Sequence, residues 1–173
     1  MTRLRSICLH GPESTGKSTV APALADYFGG VWVPEYGRTY CEAHGTDLTM
    51  EDLVAIAQGH DAQTRTALAT GGVPVILDTD PLMTAVWADM LFGRRDSWFD
   101  RWQGTADLYL LFDIDLPWIK DGTRMFGTVA ARRRFFDLSR AELDRRGVPY
   151  ALVGGEGESR YRNALAAIER ADV

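Results

Sequence analysis

Residues 10–19 read HGPESTGKST, and no other stretch of the 173-residue chain restricts the fold as far. Gly11, four residues, then Gly16-Lys17-Ser18 is the spacing at which successive backbone N–H groups close around phosphate oxygens, the lysine reaches the outer phosphates and the serine hydroxyl faces Mg²⁺. Such a loop needs a buried strand before it and a helix after it, so that the helix N-terminus adds its dipole to the cradle. Both flanks fit: residues 4–10 form a short apolar run and residues 17–28 a helical pattern.

The rest of the chain repeats that alternation. Further short apolar runs at 30–33, 73–77, 108–112 and 150–153 are separated by helical patterns at 36–43, beyond Thr49, beyond Pro81, at 129–146 and at 159–171. Strands alternating with helices predict an α/β fold in three layers, a five-stranded parallel sheet with helices on both faces. A chain of this length buries about 70% of the surface its unfolded form exposes, so residues 1–173 are expected to form a single domain.

Charge and cysteine content remove several classes of function. A net charge of −5 argues against nucleic acid or an anionic membrane as partner. Two cysteines, Cys8 and Cys41, are too few for a disulfide framework or a zinc cluster. Without a long apolar run or a signal-peptide core, a soluble cytoplasmic protein is expected. Cationic side chains nevertheless concentrate at 120–146, where Lys120 and seven arginines outnumber Asp121, Asp137, Glu142 and Asp144. On an acidic protein, that concentration fits a small anionic ligand.

A phosphate loop that holds Mg²⁺ needs a carboxylate at the end of a neighbouring strand. VPVILDTD supplies Asp78 there. Asp80 reads two ways, as a site carboxylate or as an N-cap before Pro81. The only asparagine is Asn163, far from any lysine, which disfavours a guanine-reading switch. A ring motor needs a further helical domain, for which there is little room. A small-molecule kinase fits the length, and such an enzyme needs a lid that excludes water. Residues 121–134, DGTRMFGTVAARRR, have glycines for bending and Arg124 and Arg132–134 for charge. Because consecutive helical residues point in different directions, the triplet cannot reach one site together. Glu35, at the end of the second strand, is the candidate to orient or deprotonate the acceptor hydroxyl, with Tyr36 beside it and Arg38 one turn on.

Taken in order, GPESTGKST, EYGR at 35–38, GH at 59–60, DTD at 78–80 with Thr84, PW at 117–118, DGTR at 121–124 and Arg160 resemble the ribosylnicotinamide kinase domain of NadR-type proteins, within a wider group of small P-loop kinases. The resemblance implies transfer of the ATP γ-phosphate to the 5′-hydroxyl of nicotinamide riboside, with Mg²⁺. It assigns Gly11, Glu13, Ser14, Thr15, Gly16, Lys17, Ser18 and Thr19 to ATP, and Ser18 and Asp78 to the metal. Glu35, Tyr36, Arg38, Asp80 and Trp118 go to the nucleoside, and Lys17, Glu35, Asp78, Arg124 and Arg132 to catalysis. Trp118 reads equally as a core residue beside Pro117, and His60 as a packing histidine. Two departures stand out: Pro34 occupies the position where an aromatic residue is expected before the glutamate, and neither DNA binding nor adenylyl transfer is inferred. Another nucleoside as acceptor, or a nucleotide-dependent binding module, remains a rival reading.

Overall fold

Alternation within the short apolar runs distributes the core over two faces of a sheet. The computed structural model describes residues 3–172. In β1 (Ser6–His10) Ile7 and Leu9 join one buried cluster and Cys8 the other; in β4 (Leu108–Phe112) Leu108, Leu110 and Phe112 separate in the same way from Tyr109 and Leu111. Successive strand side chains point to opposite faces, so a strand that is apolar at every position must be covered on both sides. The remaining strands are β2 (Val31–Val33), β3 (Val75–Asp78) and β5 (Tyr150–Val153), and all pairings are parallel in the order β2-β3-β1-β4-β5.

One face is covered by α1 (Lys17–Phe28) and α7 (Gly157–Ala171), which pack Val20, Leu24, Ala164 and Ile168 onto the sheet. The other is covered by α3 (Met50–Ala69), α4 (Pro81–Phe92) and α6 (Val129–Arg146) through Ala67, Leu82, Phe136 and Leu143. Each fully buried Val, Leu, Ile or Phe side chain among these contributes about 1.5–3 kcal/mol, and each alanine less. The expected three-layer α/β architecture is therefore observed. A third apolar cluster joins α2 (Tyr36–His44), α3, α4 and the short α5 (Ser97–Arg101), a helix of barely more than one turn that leaves little periodic signal in the sequence.

Local signals fix the helix ends. Thr49 accepts from Asp52 N–H while Asp52 accepts from Thr49 N–H, a complete capping box for α3. Asp80 caps α4, with Pro81 in its first turn. Strand order reverses beside β1, since the chain runs to β3 and β2 on one side and to β4 and β5 on the other. The crevice at the carboxyl ends of such strands is where open α/β sheets place ligands, and residues 11–16 lie there.

Candidate active site

The phosphate loop leaves β1 through Gly11, where φ is +127° and a Cβ would come within 2.9 Å of the Phe112 carbonyl oxygen, leaving no room for a side chain. No side chain caps the N-terminus of α1, so its leading N–H groups remain available to an anion. Lys17 is 7% exposed, and its ammonium donates to the carbonyls of Gly11 and Pro12 and to Thr15 Oγ1 at 2.9, 2.5 and 3.2 Å. Burial lowers its pKa, opposed by the carboxylates of Glu35, Asp78 and Glu13. The loop thus holds its one cation at its own mouth.

Because β1 and β3 are immediate neighbours, Ser18 on α1 reaches Asp78 directly, donating to Oδ2 at 2.6 Å. Asp78 is 1% exposed, and its other oxygen, Oδ1, is buried without a hydrogen-bond partner. An orphaned carboxylate oxygen is costly unless a cation or donor completes it. Burial raises the Asp78 pKa, while Lys17 and the Ser18 hydroxyl act in the opposite sense. The donor set, a hydroxyl and a carboxylate, suits a hard cation that takes its remaining ligands from phosphates and water. Among the described residues no group of three or more His, Cys, Asp or Glu is arranged to hold a metal by itself.

Glu35 precedes α2 and faces the same cleft. Removal from bulk water, then repulsion from Asp78, push its carboxyl up to about 7, with Lys17 and Arg38 pulling the other way. Its side chain is 28% exposed and lies 4.0 Å from Arg38 Nε. Arg38 in turn donates to Asp121 Oδ2 at 2.8 Å, linking α2 to the connection between β4 and α6.

That connection, which includes residues 121–128, closes over the phosphate loop. Glu13 accepts from the N–H groups of Met125 and Phe126, each at 3.1 Å to Oε2. Arg124 lines the cleft and donates to the Ile119 carbonyl at 2.6 Å and to Ser14 Oγ at 3.4 Å. The local positive charge divides. Arg133 pairs with Asp137 on the exposed side of α6, Arg145 with Glu142, and Arg146 donates to the carbonyls of Phe99 and Trp102. Arg132 turns inward, donating Nη1 to the Leu116 carbonyl at 2.7 Å and leaving Nε and Nη2 buried without partners.

Past Glu35 the cleft, which encloses about 960 Å³ of space including its open mouth, changes character. Its wall becomes Cys41, Leu48, Leu53, Ile56, Met83 and Trp87, with His60, Thr79 and Thr84 as polar groups. Trp87 is braced by Phe126 and Phe135 at ring separations of 5.3 and 5.1 Å. Burial pushes the His60 pKa down to about 4, so the ring is neutral at pH 7.

Five residues assigned from sequence lie outside the cleft wall, and one of them, Asp78, reaches it through Ser18. Asp80 is the clearest correction: Oδ1 accepts from Leu82 N–H at 2.9 Å as the helix cap and Oδ2 from the Tyr109 hydroxyl at 2.5 Å, so both oxygens are engaged away from the cleft. Tyr36 lays its ring over Gly59, where a Cβ would come within 2.3 Å of it, and meets His60 edge-on. Trp118 packs over Gly127. Arg132 is held one layer back, at Leu116. Arg160 is 2% exposed, pairs with Asp115 and donates to the carbonyls of Gly155 and Val153 at 2.8 and 3.1 Å, bracing the loops beside Gly16. The cleft residues Cys41, Leu48, Met83 and Trp87 carry no motif, and their spacing resembles ordinary core periodicity.

A family model described as AAA domain matches residues 6–160. The chain belongs to this family. It is 29% identical over 174 residues to the trifunctional NAD biosynthesis/regulator protein NadR of Escherichia coli (strain K12), covering 95% of this chain and 42% of that protein. With its Salmonella typhimurium counterpart the identity is 30% over 143 residues, covering 78% and 34%. The chain therefore spans less than half the length of these curated relatives. Among solved structures, NadR protein in complex with NR superposes with a TM-score of 0.78 at 23% identity, covering 98% of this chain and 52% of that one. Thymidylate kinase from Ehrlichia chaffeensis gives 0.68 at 15%, covering 95% and 97%. At these identities the superpositions show a shared fold.

Proposed function

We propose that this family member is an ATP-dependent kinase that phosphorylates the 5′-hydroxyl of nicotinamide riboside to give nicotinamide mononucleotide, a step of NAD biosynthesis. The observation that carries this reading is the position of Glu35. A carboxyl with its pKa raised to about 7 lines the same cleft as the Lys17 loop, at the boundary with an uncharged, tryptophan-lined recess. A carboxylate tuned near neutrality is suited to take a proton from an alcohol at physiological pH. On this reading the apolar recess takes the base, and an indole such as that of Trp87 suits a flat cationic ring. The NadR relatives are named for NAD biosynthesis, and a solved NadR structure contains NR.

On this reading the loop amides and Lys17 hold the β- and γ-phosphates of ATP. The acceptor oxygen attacks the γ-phosphorus as the bond to the β-phosphate bridging oxygen breaks, and its proton passes to Glu35. Mg²⁺, held through Ser18 and Asp78, would neutralise the phosphate oxygens and strengthen the leaving group. Arg124 offsets charge developing on the transferred group, and Arg132, with two unpartnered guanidinium nitrogens, is available to join it as the lid shifts. Residues 1–173 then act as one kinase unit, with its lid at about 121–134. ATP as donor suits a cytoplasmic setting, and no helix among the described residues is long and apolar enough to cross a membrane.

The test is an acceptor panel with purified protein, ATP and Mg²⁺, following ADP release and product mass. Acceptor-dependent ADP with nicotinamide riboside and a product one phosphate heavier are expected. If nicotinamide riboside gives no more ADP than buffer while another nucleoside does, the acceptor assignment fails. If ATP binds and no acceptor turns over, the protein is a nucleotide-dependent binding module.

A further inference from the structure

Backbone strain singles out one residue that the phosphate loop does not explain. Among the described residues, Ser14 at φ 58° and Thr79 at φ 68° are the non-glycine positions in the left-handed region, and both line the cleft. Ser14 belongs to the tight turn around the phosphates. Thr79 does not, and a β-branched residue is among those that left-handed backbone disfavours most; glycine or asparagine would hold the turn with less strain. Surrounding bonds enforce the conformation: Thr79 N–H donates to the Leu9 carbonyl at 3.0 Å, and the next residue, Asp80, is fixed by Leu82 N–H and the Tyr109 hydroxyl. Strain of this kind collects where a side chain must be presented to a ligand.

The side chain so presented meets His60. Thr79 Oγ1 lies 3.5 Å from His60 Nε2, at the outer limit of a hydrogen bond, and the two residues are 4% and 2% exposed. A contact that long leaves both groups with capacity for a third partner. The imidazole is neutral at pH 7 because it is buried, so the pair recognises a polar group without adding charge. Its placement indicates which group. Thr79 directly follows Asp78, and the His60 ring packs edge-on against Tyr36, which directly follows Glu35. The pair therefore shares the cleft with Glu35 and stands next in the chain or in packing to the neighbours of both carboxylates, a place suited to the ring hydroxyls of a sugar whose primary alcohol is at Glu35.

We propose that Thr79 and His60 together bind a secondary hydroxyl of the acceptor sugar and make the cleft selective for ribosides over the corresponding deoxyribosides. The inference rests on the nucleoside-kinase reading above. A site built to hydrogen-bond a hydroxyl rejects the analogue that lacks it, because the site's own polar groups are then buried unpaired.

The experiment compares the wild type, Thr79→Ser and Thr79→Gly on the active riboside and on its 2′-deoxy and 3′-deoxy counterparts. Wild type should prefer the riboside over one of the two by about 10–100-fold in kcat/KM. Thr79→Ser, which keeps the hydroxyl, should retain that preference. Thr79→Gly should reduce it to about threefold or less, through KM for the acceptor rather than for ATP. It should also melt at or above the wild-type temperature, since the strained residue is gone. Equal losses on riboside and deoxy analogue, or an unchanged preference, would overturn the proposal and leave Thr79 a structural turn. Calorimetric titration of the same ligands measures the preference without turnover, so failure of the kinase reading and failure of this inference give different results. Equal calorimetric affinities for riboside and both analogues would likewise overturn it.

Discussion

The two halves of the cleft are built from different materials. The phosphate-loop half comes mostly from one stretch, residues 11–19, rich in main-chain N–H and carbonyl groups, with Lys17 and Ser18 as its own side chains and Asp78 and Arg124 joining from elsewhere. The acceptor half is assembled from side chains on α2, α3, α4 and the lid, at positions as far apart as Cys41, Ile56, Trp87 and Met125. A site made of backbone depends on local geometry and can be shared by proteins with different acceptors. A site made of packed side chains depends on how three helices meet, and the proposed function puts acceptor choice there.

Breaking the donor half should have the largest effect. Lys17→Ala removes the cation at the loop mouth and is expected to lower the single-turnover transfer rate by about 10³-fold, whichever acceptor is used, as measured by rapid quench. Next comes the boundary between the halves. Glu35→Gln should cut turnover by about 10²-fold while ATP affinity, measured by calorimetry, stays nearly unchanged. Its pH profile gives a second readout. The base works only when ionised, so wild-type kcat/KM should rise with pH through about 7 and then level off. Unaltered turnover, or a persistent rise in the glutamine variant, removes Glu35 from that role.

Smaller effects should separate the halves more finely. Trp87→Ala is expected to raise KM for the acceptor about tenfold and to leave KM for ATP within about twofold, because the ring belongs to the apolar wall of the cleft and makes no bond to the phosphate loop. A parallel rise in both would mean that Trp87 acts by holding the lid through Phe126. Glu13→Gln weakens the acceptance of Met125 and Phe126 N–H without emptying the space. A two- to threefold increase in proteolytic nicking at residues 119–128 is expected, with a similar rise in KM for ATP.

The same contrast explains what could be read from sequence. The loop, the strand-helix alternation and the Asp78 strand end are local patterns, so they were visible in the order of residues. Asp80-Pro81 displayed a helix-start signal and a candidate site carboxylate together. Tertiary structure decides between them, because the Tyr109 hydroxyl takes the oxygen that the cap leaves over. Gly59-His60 appeared only as a resemblance, and its physical basis is Tyr36, whose ring needs the space above a residue without a side chain. The inward turn of Arg132 and the recess around Trp87 depend on contacts across long stretches of chain, which no window of sequence contains. Thr79 is an instructive case: its identity is plain in the sequence, whereas its left-handed backbone is imposed by neighbours on β1 and α4.

Glu13 grips the lid by its main chain, through the amides of Met125 and Phe126. A latch of that design does not read the side chain at either position, so Met125, which lines the cleft, can change without loosening the grip, while Phe126 stays tied to Trp87 and Phe135 by its own packing. Proline alone, having no amide hydrogen to offer, would undo it.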